Sequence, residues 1–201
     1  MAPKIKIAIA GTHSTGKSSF LSKLKDMLEQ RQLRVAQLPS LATAARAKGF
    51  PILRDHTYES TLWIIGACMQ QEAEACLAAD VILVDRPVID ALAYLTAALD
   101  VTGRELPEEQ LSSLRAIVAG HCRTYDKLFF TELDPTQPLA PGRDSDLVFR
   151  AAVAGHIKDL ARDLTPDAQS VAMDSYPELA LQCVSFAEDR LRLVAPSPAT
   201  T

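Results

Sequence analysis

A loop near the start of the chain combines glycines, a lysine and a hydroxyl at the spacing of a phosphate-binding loop. The segment from Gly11 to Ser18 reads G-T-H-S-T-G-K-S, which fits G-x-x-x-x-G-K-[ST]. Glycine permits backbone angles that turn successive N–H groups toward phosphate oxygens. Lys17 adds a cation for the β- and γ-phosphates, and the Ser18 hydroxyl can bind Mg²⁺. The pattern predicts a site for ATP and Mg²⁺, with Lys17 as a catalytic residue. The residues expected to contact the nucleotide are Gly11, Thr12, His13, Ser14, Thr15, Gly16, Lys17, Ser18 and Ser19.

A pair of opposite charges, Asp85 and Arg86, directly follows the apolar run at 81–84. P-loop enzymes place an acid near the magnesium ion at this point. We expect Asp85 to accept the proton of a phosphoryl acceptor or to hold the metal with Ser18, and Arg86 to neutralise phosphate charge. Hydrolytic ATPases commonly carry a second acid here, so the arginine favours transfer to a bound acceptor. A structural ion pair at a strand end is the alternative.

The elements that must position these residues alternate along the chain. Apolar runs predict five strands, at 4–10, 33–38, 81–84, 127–130 and 170–173. Periodic patterns, prolines and glycines predict helices that begin near 17, 40, 57, 87, 107, 147 and 179. Alternating strands and helices predict an α/β fold of three layers, α/β/α, with a five-stranded parallel sheet and a P-loop. Ligands in such sheets bind beyond the carboxyl ends of the strands.

Length and composition limit the domain organisation and the partners. The 201 residues predict a single domain at 1–194, with a lid at about 134–150 and a flexible tail at 195–201. A net charge of −4 argues against broad nucleic-acid binding. No apolar run is long enough to span a membrane, and four cysteines without metal-ligand spacing are typical of reduced thiols. We therefore expect a cytoplasmic protein; the sequence does not determine its oligomeric state.

The stretch from Asp85 to Tyr94, D-R-P-V-I-D-A-L-A-Y, resembles the D-R-x-x-x-D-x-x-A-Y stretch of small P-loop kinases. These are the ribosylnicotinamide kinase domain group, AAA-type ATP-binding kinase-like proteins, and more distantly the deoxynucleoside and thymidylate kinases. The segment 141–150, P-G-R-D-S-D-L-V-F-R, is similar to the lid of that group. The resemblance implies a nucleoside- or nucleotide-kinase-like fold with a lid, and transfer of the γ-phosphoryl group of ATP to a small nucleoside- or nucleotide-like acceptor.

The resemblance also implies roles for individual residues. Arg143, as a catalytic residue, and Arg150 would reach the transferring phosphoryl group when the lid closes, although a solvated charged loop is the alternative reading. Many relatives carry a glutamate shortly before an Ala-Arg pair, and residues 39–41 here contain none, so the usual acceptor contact stays open. The residues expected on the acceptor side are Arg46, Glu59, Trp63, Gln70 and Asp90. Trp63 fits core packing as well as stacking on a ring.

Two other functions compete with a kinase. A GTPase-type switch would carry a D-x-x-G motif, which residues 100–103 fit, but here the motif follows a predicted helix instead of ending the third strand. Such a switch would also carry [NT]-K-x-D after the fourth strand, and the lysine of that motif is missing. A nucleotide-binding regulator without turnover is the third class, because a fold does not fix a function. His56, His121 and His156 are scattered, and the sequence assigns them no role.

Overall fold

A computed structural model describes residues 4–134, 136 and 145–192. The strands are β1 (Ile5–Ala10), β2 (Val35–Leu38), β3 (Val81–Asp85), β4 (Lys127–Thr131) and β5 (Gln169–Val171). The helices are α1 (Lys17–Glu29), α2 (Ala42–Ala47), α3 (Tyr58–Ala75), α4 (Val88–Thr102), α5 (Glu108–Cys122), α6 (Leu147–Leu164) and α7 (Tyr176–Arg192). Short 3₁₀ turns lie at Leu53–Asp55 and Met173–Ser175. Strands and helices alternate as the sequence predicts.

The five strands form one parallel sheet in the order β2-β3-β1-β4-β5. The P-loop strand β1 is therefore central, with Ile9 opposite Asp85 of β3 on one side and Phe129 of β4 on the other. Apolar side chains cover both faces of β1 because helices pack on both sides of the sheet. This order places the ends of β1, β3 and β4 side by side at one edge.

Alternate residues of the strands serve two separate cores. Ile7 and Ile9 point to the side covered by α1 and α7, whereas Ala8 and Ala10 point to the side covered by α3, α4, α5 and α6. Helix α4 is buried along most of its length because three helices and the sheet surround it. The three-layer α/β/α architecture is confirmed.

Element boundaries differ from the predicted ones where turns intervene. The helical pattern that begins near 57 continues to 79 in the sequence, but helix α3 ends at Ala75 because the chain must turn before β3 begins. Its start is fixed by a capping box, in which Thr57 and Ser60 bond each other's backbone N–H groups. Helix α7 begins at Tyr176, three residues early, directly after a 3₁₀ turn. Helix α6 begins at the predicted residue, Leu147, and Asp146 caps it by accepting from the Phe149 N–H.

Several predictions concern residues outside the described part. Most of the predicted lid, including Arg143, and the tail at 195–201 lie there. Among the residues that the structure does describe, none of the helices has the length and apolarity needed to cross a membrane.

Candidate active site

The P-loop connects the end of β1 to the start of α1 through two glycines with positive φ. Gly11 has φ 147° and Gly16 has φ 74°, both in the region that L side chains rarely adopt. A Cβ atom on Gly11 would lie 2.0 Å from the Thr131 hydroxyl oxygen. Gly16 occupies the N-cap position of α1, so the positive end of that helix faces the loop. The loop therefore has the backbone of an anion-binding site.

Side chains from three other elements hold the loop in place. The Tyr176 hydroxyl at the start of α7 donates to the Thr15 carbonyl at 2.7 Å, and the Thr131 hydroxyl at the end of β4 donates to Thr15 Oγ1 at 3.1 Å. The Gly11 N–H lies 3.2 and 3.3 Å from the two carboxylate oxygens of Asp90 in α4. The loop is thus anchored before a nucleotide binds.

Lys17 lies inside the loop, where its side chain is buried. Its ammonium donates to the Thr12 carbonyl and, at 3.0 Å, to Thr15 Oγ1. Thr12 and Thr15 belong to the P-loop, so the ammonium lies against the loop that would hold a phosphate. The geometry suits the role predicted for Lys17.

Ser18, in the first turn of α1, meets Asp85, the last residue of β3. The Ser18 hydroxyl donates to Asp85 Oδ2 at 2.6 Å, and Asp85 Oδ1 is buried without a hydrogen-bond partner in the described part of the chain. A hydroxyl and a carboxylate with a spare oxygen fit Mg²⁺, which usually takes one or two protein ligands and completes its shell with phosphates and water. No cluster of three or more His, Cys, Asp or Glu side chains suited to a metal occurs among the described residues.

Arg86 and Asp90 form the next part of the site. Arg86 has φ 65°, an uncommon value for a residue with a side chain, and its N–H donates to the Ile9 carbonyl at 3.2 Å. Its guanidinium donates to the Tyr94 hydroxyl at 2.7 Å and lies 3.6 Å from Asp90 Oδ2. Burial raises the pKa of Asp90, and Arg86, Lys17 and the Gly11 N–H oppose that rise. Asp90 and Tyr94 lie four residues apart on one face of α4, and Arg86, just before the helix, reaches both of them.

One cleft of about 620 Å³ joins the P-loop to a separate set of side chains. His13 to Ser19 line one end, and the walls beyond Asp85 come from the segment after β2, the turn before α3, one residue of α3, Arg86 and α4. The residues of those walls are Pro39, Ser40, Leu41, Ala42, Thr43, Arg46, Ile52, Leu53, His56, Ile64, Arg86, Asp90, Ala91 and Tyr94. A second cavity, of about 280 Å³, lies beside Ser14 and Thr15 and is lined further by 132–134 and 172–174. The P-loop thus lies between two cavities.

The model of one protein family, described as an AAA domain, matches residues 6–178. The chain belongs to that family. No curated protein matches this AAA domain protein in sequence.

Solved structures share the fold of this AAA domain protein at low identity. Deoxyadenosine kinase from M. mycoides with bound dATP is 13% identical, with a TM-score of 0.60 over 90% of this chain and 100% of that one. NadR protein in complex with NAD and AMP-PNP is 11% identical, with a TM-score of 0.60 over 98% of this chain and 52% of NadR. NadR with NR gives 10% identity and a TM-score of 0.62. The chain spans about half of NadR, and the likeness confirms a P-loop fold of the nucleoside kinase type.

The structure of the AAA domain brings most predicted site residues together, but not three on α3. Arg46, Asp85, Arg86 and Asp90 line the cleft with the P-loop. Glu59, Trp63 and Gln70 do not line it. Trp63 stacks on Phe50 with 5.3 Å between ring centroids, Gln70 donates to Glu74 at 2.9 Å, and Glu59 is exposed. Ile64 lines the cleft instead, so α3 turns a neighbouring face toward it.

Arg150 reaches the P-loop although Arg143 lies outside the described residues. Its side chain is buried, and its Nη2 atom lies 3.5 Å from the Ser14 carbonyl. Its Nε atom is buried and has no hydrogen-bond partner within the part of the chain that is described. A guanidinium that lies beside the P-loop and has an N–H group left over for a ligand is suited to bind a phosphate.

His56 and Tyr94 also line the cleft, although the sequence alone assigns neither of them a role. Tyr94 follows Asp90 by four residues in a predicted helix, and this signal was available in the sequence. His56 had no such signal, because a turn at Leu53–Asp55 brings it to the cleft.

Proposed function

We propose that this chain is an ATP-dependent phosphotransferase that moves the γ-phosphoryl group of ATP to a small nucleoside- or nucleotide-like acceptor. The observation that carries the proposal is the single cleft that runs from the P-loop, past Lys17 and Asp85, to a second wall lined by Arg46, His56 and Tyr94. A phosphoryl donor and an acceptor bound at its two ends would meet beside Asp85. A nucleotide switch needs only the first end.

The P-loop would hold the triphosphate of the donor. Backbone N–H groups of the loop and the N-terminus of α1 bind the phosphates, and Lys17 supplies a positive charge where charge develops during transfer. Ser18 and Asp85 would hold Mg²⁺, which neutralises phosphate charge when bound. The cavity between Ser14 and Asp174 would take the base of the nucleotide. One structural neighbour is described with dATP and another with AMP-PNP, which supports an adenine nucleotide.

Asp85 is the carboxylate best placed to accept the proton of the acceptor. Its Oδ1 atom is unpartnered among described residues, whereas Asp90 accepts from the Gly11 N–H and lies beside Arg86. We therefore assign proton acceptance to Asp85, phosphate charge neutralisation to Arg86 and positioning of the P-loop to Asp90. The absence of a second acid after Asp85 fits transfer better than hydrolysis.

We also propose that the protein is located in the cytoplasm. All four cysteines are free thiols, which is usual in a reducing compartment. The negative net charge gives no reason to expect nucleic acid as a partner.

ADP release from ATP and Mg²⁺ tests the proposal, measured across a panel of nucleosides, nucleotides and sugars with mass detection of the phosphorylated product. We expect at least one acceptor to stimulate ADP release and to gain one phosphoryl group. Lys17→Ala should abolish transfer while its circular dichroism and melting stay those of a folded protein. Gln70→Ala is the matched control, because Gln70 lies outside the cleft. Nucleotide binding without stimulation by any acceptor would contradict the proposal and favour a regulator.

A further inference from the structure

His56 is a buried side chain of the cleft to which the proposed function assigns no contact with a ligand. It lies between the 3₁₀ turn Leu53–Asp55 and α3, is 4% exposed, and forms part of the wall opposite the P-loop. Its ring packs 5.7 Å from the ring of Tyr94, measured between centroids. A histidine in this place faces the space assigned to the phosphoryl acceptor.

The tautomer of His56 follows from its one hydrogen bond. The Nδ1 atom lies 3.0 Å from the Leu53 carbonyl oxygen. A carbonyl oxygen can only accept, so Nδ1 carries the hydrogen. Burial lowers the pKa of His56 to about 4, against the opposing effect of this hydrogen bond, and the charges of Arg104 and Arg86 lower it further. The ring is therefore neutral near neutral pH, and Nε2 holds a lone pair that accepts a hydrogen bond and cannot donate one.

The turn that presents the Leu53 carbonyl is held on both sides. Leu53 has φ 62°, a left-handed value that is strained for a leucine and persists only where the surroundings enforce it. The next carbonyl, that of Arg54, accepts from Arg104 Nη2 at 2.6 Å, and the Arg54 side chain pairs with Asp146 at the cap of α6. These contacts fix the orientation of the imidazole before any ligand arrives.

The Nε2 atom has no hydrogen-bond partner among the residues that the structure describes. We infer that His56 is a specificity residue, whose Nε2 accepts a hydrogen bond from an O–H or N–H group of the phosphoryl acceptor. This inference rests on the proposed function and narrows the acceptor to a molecule with a neutral hydrogen-bond donor at that point. A carboxylate or phosphate there would meet the lone pair and be disfavoured.

Three variants separate this role from a structural one, with the ribosides of adenine, cytosine and nicotinamide as probes. His56→Gln can place an oxygen acceptor near the position of Nε2, His56→Asn can keep only the bond to the Leu53 carbonyl, and His56→Phe keeps only the ring packing. We expect the kcat/KM of the best acceptor to fall about 10-fold or more in the Phe and Asn variants, mainly through KM, and to be partly restored in the Gln variant. The KM for ATP should not change. Rescue by Asn but not by Gln would overturn the inference.

Analogues of the phosphoryl acceptor would identify which of its O–H or N–H groups donates the hydrogen bond to His56. We expect the 2′-deoxy or the 3′-deoxy analogue, or one N-methylated on the base, to be used about 10-fold less well than its parent by the wild type and equally well by His56→Phe. A loss limited to a deoxy analogue assigns a sugar hydroxyl, and a loss limited to the methylated base assigns a base N–H. Equal discrimination by wild type and variant for every pair would contradict the inference.

Nitrogen NMR of the unliganded protein gives a readout that does not depend on activity. We expect a neutral ring with hydrogen on Nδ1 throughout the neutral range, and a shift of the Nε2 resonance when the best riboside is added. Hydrogen on Nε2, or titration near the ordinary histidine pKa of about 6.5, would overturn the inference even if the chain is an active kinase. If no riboside, nucleotide or sugar is phosphorylated, the proposed function fails, and the inference fails with it.

Discussion

The Ser18 hydroxyl donates a hydrogen bond to the Oδ2 atom of Asp85 at 2.6 Å. The two residues are 67 positions apart in the chain, and the parallel pairing of β1 with β3 brings them together because Ile9 lies opposite Asp85. The remaining Asp85 oxygen is buried and has no partner in the described segments. Asp85 is therefore available both to a metal ion and to the proton of an acceptor, and mutation can separate these two roles.

Asp85→Asn keeps the shape of the side chain and removes its charge. We expect turnover to fall roughly 100-fold or more, the size of a typical acid–base contribution, while ATP binding is affected less. Steady-state kinetics over a range of Mg²⁺ concentrations, with ATP binding measured by calorimetry, would check this expectation.

Ser18→Ala is the matched variant, because it removes only the hydroxyl that pairs with Asp85. If Asp85 mainly holds the metal, both variants need more Mg²⁺ and recover at saturation. If Asp85 accepts the proton, Asp85→Asn stays slow at every Mg²⁺ concentration. Wild-type turnover in Asp85→Asn would rule out both roles.

Asp90 gives a prediction about pH and stability. Burial raises the pKa of its carboxyl from 3.8 to about 7 in the folded chain. The folded state then binds more protons than the unfolded state between these values, so this group makes stability fall as the pH rises through that window. Asp90→Asn, which stays neutral and keeps an oxygen for the Gly11 N–H, should gain stability relative to the wild type by at most about 1.4 kcal/mol per pH unit.

Urea unfolding at several pH values between about 4 and 8 measures this difference. The control is Asp26→Asn, because Asp26 is exposed on α1 and should show no such dependence. A stability difference between Asp90→Asn and the wild type that is constant with pH would show that Asp90 is ionised throughout the window.

Local patterns predicted the elements of this fold better than they predicted its contacts. The strands β1 and β3 were evident because both are buried on two faces and consist mostly of apolar residues. The P-loop motif, its flanking strand and its helix were likewise predicted from neighbouring residues. The place of β1 between β3 and β4 was not, because strand order depends on contacts between distant segments.

The acceptor side of the cleft was predicted less well for the same reason. Glu59, Trp63 and Gln70 share the segment that lines the cleft, but the rotation of α3 about its axis is set by its packing on α4 and α5 and is not visible in its own sequence. The position of His56 in the cleft depends on a strained turn at Leu53, and no sequence pattern predicts that turn. Arg46, which was predicted from the family resemblance, does line the cleft, and its role in binding an acceptor stays a prediction.

Glu72 of α3 is a buried carboxylate at the opposite end of the sheet from the P-loop, with its charge and hydrogen bonds satisfied. It accepts from Lys6 at 3.0 Å and from the Tyr125 hydroxyl at 2.7 Å, and it lies 2.9 Å from His121 Nε2. Burial alone would raise its pKa, but these hydrogen bonds outweigh burial and hold the pKa below its ordinary value. Glu72→Gln should cost about 2 kcal/mol of unfolding free energy near neutral pH, because Lys6 loses its buried partner.

The sign of the pH dependence tests this account of Glu72. A carboxyl group whose pKa is lower in the folded chain than in the unfolded chain stabilises the fold at pH values above its unfolded pKa. This stabilisation is lost as the pH falls through the folded pKa. The advantage of the wild type over Glu72→Gln should therefore be complete near pH 7 and shrink below about pH 4. Glu74→Gln, an exposed substitution two residues along the same helix, is the control. A difference that persists unchanged in acid would mean that the charge of Glu72 does not contribute.

Substitution of Arg150 distinguishes an enzyme from a nucleotide switch. The loss of a contact that forms only during phosphoryl transfer lowers kcat rather than the affinity for the nucleotide. Arg150 is buried beside the Ser14 carbonyl, and its Nε atom has no partner among described residues. We expect Arg150→Ala to lower kcat about 10-fold to 100-fold with a smaller change in the KM for ATP. Arg150→Lys should recover only part of the loss, since a single ammonium cannot replace a forked contact. Arg162→Ala, an exposed change on the same helix, should leave kcat unaltered. Melting temperatures of all three variants check that each is folded. If Arg150→Ala binds ATP much more weakly but transfers normally at saturation, Arg150 serves the bound nucleotide and not the transition state.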